Sequence, residues 1–136
     1  MDDLSAALKI SASGMRAQSA RVRVVSENIA NADSTAAVAG GEPYRRQVPV
    51  FRSEADRTSG ARLVALDRVA LDPSAFSLRF EPGHPAANPE GYVLAPNVNP
   101  LVEMMDLREA QRSYEANLGG PDQARAMTAA TLRILE

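Results

Sequence analysis

The sequence contains no cysteine and no tryptophan, and its 136 residues include only three phenylalanines and three tyrosines. The absence of cysteine excludes disulfide bonds, thiolate metal sites and cysteine nucleophiles. Aromatic side chains usually supply much of the apolar area in a dense core. Because they are scarce here while alanine is frequent, the composition favours long thin helices over a dense globular core. The length itself fits one domain.

The sequence also lacks a strong charge of either sign and any long apolar run. Its 15 basic and 17 acidic residues give a net charge of −2 and are mixed along the chain. A nucleic-acid surface would need Lys and Arg clustered on one face, so we expect no nucleic-acid partner. No apolar run reaches the roughly 20 residues of a membrane-spanning helix. The acidic start Met1-Asp2-Asp3 does not resemble a basic-then-apolar signal peptide, so we expect neither a transmembrane segment nor a cleaved signal.

The residues indicate no catalytic site, metal site or cofactor site. His84 is the only histidine and is followed by a proline. A lone loop histidine makes a poor metal site, so a turn residue is the expected role. No Gly-x-Ser-x-Gly elbow and no phosphate-binding glycine pattern occurs. The acidic residues are scattered among arginines, which is more typical of a solvated surface than of a general acid/base pair. We therefore expect a protein that is not an enzyme.

A long amphipathic helix is predicted within residues 4–35. Its apolar side chains recur at the heptad spacing of a coiled-coil seam, and they are Leu8, Met15, Val22, Val25 and Ile29. Alanines and polar residues dilute this seam, so the helix needs a partner. Gly14 interrupts the pattern at a cost of about 1 kcal/mol relative to alanine; it either lets another backbone approach or is simply tolerated. Asn, Asp and Ser crowd the end, which predicts a stop between Ala32 and Ser34.

Residues 36–97 are predicted to form a small antiparallel β module with loops, because the apolar period changes to two. The expected strands are 44–51, 61–71 (as one strand or two), 75–80 and 91–95. Residues 52–60 are polar and are predicted to be a loop. Pro49 lacks the N–H that a ladder needs, which places the first strand at an edge or at a bulge. Arg45 and Arg46 could contact an acidic partner, although a solvated strand face is the favoured interpretation.

A second long helix is predicted for residues 98–136. Asn99 is a good N-cap and Pro100 a good first helical residue. The apolar positions expected to pair or to contact other subunits are Leu101, Met105, Leu107, Tyr114 and Leu118. Met104 and its neighbour Met105 could form an adaptable contact surface or could pack within a bundle. Gly119-Gly120-Pro121 predicts a kink or a break, because proline inside a helix costs about 3 kcal/mol.

The predicted fold class is therefore α+β. The N-terminal helix, within residues 1–35, and the C-terminal helix, within residues 98–136, are expected to pair as an antiparallel coiled coil. The β module of residues 36–97 lies between them in the sequence. The residues alone leave open whether the apolar stripes pair within one chain or between chains.

Several stretches resemble bacterial flagellar rod and hook proteins. Residues 13–32 are similar to the N-terminal signature of that family, which closes on Asn28-Ile29-Ala30-Asn31. Further motifs narrow the resemblance to proximal-rod members of the C type. They are Tyr44-Arg45-Arg46, Pro82-Gly83-His84-Pro85, and Gly91-Tyr92-Val93 leading to Asn97 and Asn99. Residues 103–117 are similar to the family's C-terminal pattern, whereas Gly119-Gly120-Pro121 departs from its continuous last helix.

This resemblance implies a structural subunit of the flagellar basal body. Such a subunit would polymerise with copies of itself and with other rod proteins into the proximal rod, which transmits torque across the periplasm. It would be exported by the flagellar type III apparatus without a cleaved signal peptide. The alternative is a soluble coiled-coil adaptor or chaperone-like protein with a β insert. That class shares the amphipathic ends but not the Asn-Ile-Ala-Asn and Tyr-Arg-Arg combination.

Overall fold

The computed structural model describes the backbone of residues 2–135 and the side chains of residues 3–119, 133 and 134. Two long helices enclose four strands in sequence order: α1 Asp2–Ala30, β1 Gln47–Ala55, β2 Arg62–Leu71, β3 Ser77–Phe80, β4 Tyr92–Ala95 and α2 Pro100–Leu135. α1 contacts α2, with contacts described from Gly14 to Asn28. The contacts run antiparallel, because Gly14 meets Asn117 while Asn28 meets Glu103. The predicted α+β fold with paired terminal helices is therefore confirmed.

α1 ends earlier than the sequence predicts. Its last helical residue is Ala30, and a turn occupies residues 31–33. The Asn31 amide donates to the Glu27 carbonyl at 2.9 Å, and its oxygen accepts from the Ser34 hydroxyl at 3.0 Å. Such local side-chain bonds compete with the helical ladder. The predicted stop between Ala32 and Ser34 is therefore wrong by about a half turn.

α1 and α2 approach each other through small and polar residues. A Cβ atom on Gly14 would lie 2.7 Å from Oδ1 of Asn117, so glycine is what allows this side chain of α2 to come so close. On α2, Glu103 and Ala110 are completely buried. The buried residues of α1 are Ser13, Ala17, Val24, Val25 and Asn28. Gly14 is thus a point of close approach, although an amide side chain and not a backbone fills the space.

β1 and β2 form an antiparallel hairpin that packs on α1. The pairing runs from Gln47 opposite Leu71 to Ala55 opposite Arg62, and β2 is a single strand. A bulge follows Val50, and β1 has β2 as its one hydrogen-bonded neighbour strand. This confirms the edge position predicted from Pro49. The predicted loop 52–60 is wrong for its first four residues, because the exposed end of a hairpin can extend its ladder with polar side chains in solvent.

β3 and β4 form a second two-stranded antiparallel sheet, with Leu78 opposite Leu94 and Phe80 opposite Tyr92. β4 alternates strictly in burial: Val93 and Ala95 are buried, whereas the residues before each of them are exposed. The sheet therefore has one covered face and one uncovered face. The uncovered face carries Leu78, Phe80, Tyr92 and Leu94.

α2 begins as predicted. The Asn99 side-chain oxygen accepts a hydrogen bond from the Leu101 N–H at 3.1 Å, and Pro100 is the first helical residue. The helix runs through Gly119-Gly120-Pro121 to Leu135 as one element. The alternative of two separate helices is therefore wrong. A proline removes one internal hydrogen bond of a helix, while the turns on both sides keep theirs.

The tip of the β1–β2 hairpin is anchored to α1 by Asp56. One carboxylate oxygen accepts from the Ser59 hydroxyl at 2.6 Å, from the Ser59 N–H at 3.2 Å and from the Lys9 ammonium at 3.0 Å. These bonds, the Ser59 hydroxyl first and Lys9 next, lower the pKa of Asp56 to about 2. The ionised carboxylate thus stabilises the fold above the ordinary pKa of 3.8, and this contribution is lost as the pH falls toward about 2.

We expect Ser59→Ala to raise the pKa of Asp56 more than Lys9→Met does, because the Ser59 hydroxyl has the larger effect. An NMR titration that follows the Asp56 carboxyl carbon measures both pKa shifts. It runs from about pH 1.5 to about pH 6, a range that spans the ordinary carboxyl pKa. A larger shift in the Lys9 variant would contradict this ranking. Arg57→Met, beside Asp56 but without an ion pair to it among the described side chains, serves as the control.

Candidate functional site

Asn28 joins the end of α1 to the start of β1. It is completely buried, and its amide pairs with both backbone groups of Gln47: Nδ2 donates to the carbonyl at 2.8 Å, and Oδ1 accepts from the N–H at 2.9 Å. The side chain therefore supplies the bonds that a neighbouring strand would make. The Tyr44 hydroxyl donates to the same Oδ1 at 2.7 Å. Burial, followed by the charges of Glu27 and Glu103, raises the pKa of Tyr44, so the phenol keeps its proton.

Glu103 lies on the first turn of α2 and is the largest fully buried side chain among the described residues. One carboxylate oxygen accepts from Nε of Arg46, and the other accepts from Nδ2 of Asn28 at 3.4 Å. Arg46 also contacts Asp72 at 3.3 Å and Asp106 at 3.7 Å. Burial works to lower the pKa of Arg46, but the bonds and charges of Glu103 and Asp72 raise it overall. Each carboxylate oxygen of Glu103 thus has a hydrogen-bond donor.

Two sequence-based interpretations are corrected by this geometry. Arg46 does not lie on a solvated strand face, because the tertiary structure brings it against a buried carboxylate. Arg45 donates to the carbonyls of Asp72 and Ser74 at 2.7 and 3.0 Å, and its guanidinium lies 4.2 Å from the ring centre of Phe76. The acids are likewise not all surface residues, since Glu103 is buried.

Asn97 closes the network from the side of β4. Its Oδ1 accepts from the Arg46 N–H at 2.7 Å, and its Nδ2 donates to the carbonyls of Asp72 and Ser74 at 3.1 Å each. We call this set the anchor network, and it consists of Asn28, Tyr44, Arg45, Arg46, Asp72, Asn97 and Glu103. It connects α1, the β module and α2 at one place. Five of these residues belong to the named sequence motifs. Glu103 begins the family-like stretch 103–117 but was not predicted to be buried or paired, and Asp72 was not predicted to take part. An acidic residue within the apolar pattern of a helix was the one available signal for Glu103.

The remaining motif residues have local roles. His84 lies in a turn, as expected: its Nδ1 accepts from the Ala86 N–H at 2.9 Å. The neutral ring therefore carries its proton on Nε2, which donates to the Thr35 hydroxyl at 3.1 Å. This contact ties two loops together. The other residues of that turn are exposed, and they are Pro82, Gly83 and Pro85. At the end of α1, Ile29 is half-buried and Ala30 is exposed.

The outer face of α2 carries large apolar side chains that nothing in the described part of the chain covers. Leu101 is 68% exposed and Met105 is 64% exposed. The other exposed apolar residues of this helix segment are Val102, Met104, Tyr114 and Leu118. They are uncovered because α2 turns Glu103 and Ala110 toward the interior. Met104 and Met105 expose 47% and 64% of their surfaces, so neither is buried against the described part of the chain.

The residues predicted to pair the helices differ in burial between α1 and α2. On α1, Val25 is buried, whereas Leu8, Met15, Val22 and Ile29 are half-buried. On α2, Leu107 is half-buried, and the other four are exposed. In the described part of the chain, α1 thus turns its seam inward, while Leu107 of α2 is partly covered and Tyr114 lines a hollow with Val22 of α1. The role of the exposed α2 residues in subunit contacts stays a prediction.

Among the side chains of residues 3–119, 133 and 134 there is no group of His, Asp or Glu arranged to hold a metal ion. No helix in that part of the chain is both long and apolar enough to cross a membrane. The anchor network thus joins α1, β1 and α2, and the apolar residues of α2 at Leu101 and Met105 are uncovered. We describe this side of α2 as a candidate assembly surface.

Comparison with known protein families finds a match at each of the two long helices. A family model described as flagella basal body rod protein matches residues 8–36, and one described as flagellar basal body rod FlgEFG protein C-terminal matches residues 90–134. These ranges include most of α1 and nearly all of α2.

Curated relatives extend the match to the whole chain. Flagellar basal-body rod protein FlgC of Agrobacterium fabrum is 49% identical over 136 residues, which is 100% of this chain and 98% of that protein. The protein of the same name from Bacillus subtilis is 39% identical, over 93% and 95% of the two chains. That of Salmonella typhimurium is 36% identical over 92% of each. The chain therefore belongs to the FlgC family of flagellar basal-body rod proteins and is a structural subunit of the flagellar rod.

Proposed function

We propose that this chain polymerises with copies of itself and with other rod proteins into the proximal rod, which transmits torque across the periplasm. The observation that carries the proposal is the uncovered outer face of α2. Soluble monomers rarely expose contiguous apolar patches of large side chains, and Leu101 and Met105 expose about two thirds of their surfaces. In a rod, neighbouring subunits would cover this face.

The anchor network suits a part that carries torque. Load applied to the helices must reach the β module without a hinge between them. Asn28 holds α1 on β1, while Glu103 of α2 holds Arg46 just before β1. Buried hydrogen-bonded networks of this kind make a structure rigid when every member is satisfied. The helices and the hairpin would therefore move as one body.

We further propose that the subunit reaches the periplasm through the flagellar type III export apparatus without a cleaved signal peptide. Support comes from membership in the rod family. The alternative of a soluble adaptor or chaperone-like protein explains the amphipathic helices, but not the full-length similarity to rod proteins.

The double substitution Leu101→Asp with Met105→Asp tests the proposal. Both side chains are exposed, so we expect the folded chain to keep its circular dichroism spectrum and unfolding midpoint. Two charges on a face that neighbours cover should abolish incorporation into detergent-extracted basal bodies and abolish swimming. Leu71→Asp is a matched control, because Leu71 is 63% exposed on β2 and should remain compatible with swimming. Normal swimming of the double variant would refute the proposed function.

A further inference from the structure

The uncovered face of the β3–β4 sheet borders a hollow of about 230 Å³. Leu78, Tyr92 and Leu94 of the sheet line it. The loop residues that complete the lining are Ala36, Gly40, Gly41, Ala86 and Asn88. No lining residue is charged. Leu78 and Phe80 are 62% and 65% exposed, and the Phe80 and Tyr92 rings meet edge to face at 5.3 Å. This is a preformed apolar surface with a depression that a side chain of another molecule can enter.

Three acidic residues lie close in sequence to residues that line the hollow. Glu42 follows the glycines that line it, and Glu81 and Glu90 lie at the end of the β3–β4 ladder, where the Glu81 N–H donates to the Gly91 carbonyl at 2.9 Å. All three are exposed. The nearby Arg79 is already paired with Asp33 at 2.8 Å. Among the side chains that the structure describes, none of the three glutamates has an ion-pair partner. We call these three residues the acidic rim.

The outer face of α2 has the complementary character. Leu101, Met105, Arg108 and Arg112 follow one another at spacings of four, three and four, so they form a single stripe on the helix. All four are exposed. Arg108 and Arg112 also form no ion pair with any described side chain. The stripe therefore offers two apolar side chains next to two uncompensated positive charges. We call it the α2 stripe.

We infer that the hollow of one copy of this chain receives the α2 stripe of a second copy. Apolar side chains of the stripe would fill the depression, and Arg108 and Arg112 would face the acidic rim. Two stripes or two rims placed together would bring like charges into contact, so the stripe is expected to meet the hollow and not another stripe. When each copy uses its hollow for one neighbour and its stripe for another, the contact is heterologous, and a heterologous contact that does not close into a ring propagates as a filament. The inference rests on the proposed rod function and names the contact between copies that would serve it.

Single cysteines provide the test, because the natural sequence has none. Purified full-length chains carrying Leu78→Cys are mixed with chains carrying Met105→Cys and a short bismaleimide. The matched control replaces Leu78→Cys by Leu71→Cys, since the two leucines are 62% and 63% exposed. We expect the heterodimer to form at least about tenfold faster than in the control, because docking raises the effective concentration of the two thiols. Equal rates would overturn the inference.

Charge reversal tests the specificity of the same contact. Arg108→Glu with Arg112→Glu in the Met105→Cys chain should reduce the cross-linking rate to that of the control. Glu81→Arg with Glu90→Arg in the Leu78→Cys chain should restore it. The α2 stripe and the acidic rim do not meet if reversing the arginines leaves the cross-linking rate unchanged. The same conclusion follows if reversing the glutamates as well does not restore that rate.

Basal bodies separate this inference from the function on which it rests. Cells that express both single-cysteine chains should yield the same heterodimer from extracted basal bodies. If the chains are present there but the Leu78→Cys chain is cross-linked only to a different protein, the second copy is not the occupant and the inference fails, while the rod function stands. If neither chain is found in basal bodies, the proposed function itself fails.

Discussion

Arg46→Met is expected to lower the free energy of unfolding by about 3–5 kcal/mol at neutral pH, because it leaves a buried carboxylate without its cation. Glu103 has a side chain that is 1% exposed, and Arg46 is the cation bonded to it. Folded domains are stable by only about 5–15 kcal/mol, so this loss would leave a marginal protein. Urea unfolding followed by circular dichroism measures the change.

The controls separate the buried pair from ordinary surface charge. Arg52→Met removes an arginine whose side chain is 52% exposed and which contacts Glu54 and Asp67; exposed pairs of this kind contribute about 0–1 kcal/mol. The double variant Arg46→Met with Glu103→Met should recover much of the loss, since no charge remains buried. If Arg46→Met were no worse than Arg52→Met, the buried pair would not hold the junction together.

Asn28→Ala is expected to destabilise the fold by about 2–4 kcal/mol, because it removes the partners of several buried groups at once. The N–H and the carbonyl of Gln47 both lose their bonds, and so does the Tyr44 hydroxyl. Tyr44→Phe is the matched control, since it deletes one hydrogen bond and should cost about 1 kcal/mol. Hydrogen exchange should show the Gln47 amide becoming unprotected in the Asn28 variant only.

Basal-body incorporation should fall in proportion to the remaining folded fraction of these variants. The losses from Asn28→Ala and Arg46→Met should not add, because both side chains bond Glu103 and thus belong to one network. An Asn28→Ala chain with wild-type stability and a protected Gln47 amide would show that backbone pairing at the end of α1 is not needed.

The helices and most strands could be predicted because their signals are local. The apolar period, the cap at Asn99 and the turn residues lie within a few positions of the structure that they specify. The exact ends were less predictable. α1 stops at Ala30 through side-chain bonds of Asn31, and β1 continues through Arg52 into a polar stretch. Both outcomes depend on hydrogen bonds that composition does not reveal.

The face that α2 turns toward α1 could not be predicted in the same way. An apolar stripe that includes Leu101 and Met105, and a small polar stripe that includes Glu103 and Ala110, both recur at helical spacing. The period of a helix does not say which of two stripes meets a partner. The second stripe faces α1 because Gly14 has no Cβ and leaves room for α2, and because Arg46 lies beside Glu103.

By itself, the sequence determined the order of elements, the antiparallel helix pair around a β module and the membership of the rod family. The tertiary structure decided that five motif residues form one anchor network with Asp72 and Glu103, and that the apolar side of α2 is left uncovered. The physical reason is distance along the chain. Asn28, Arg46 and Glu103 are separated by 18 and 57 positions, so their charges and amides compensate one another only after the chain has folded.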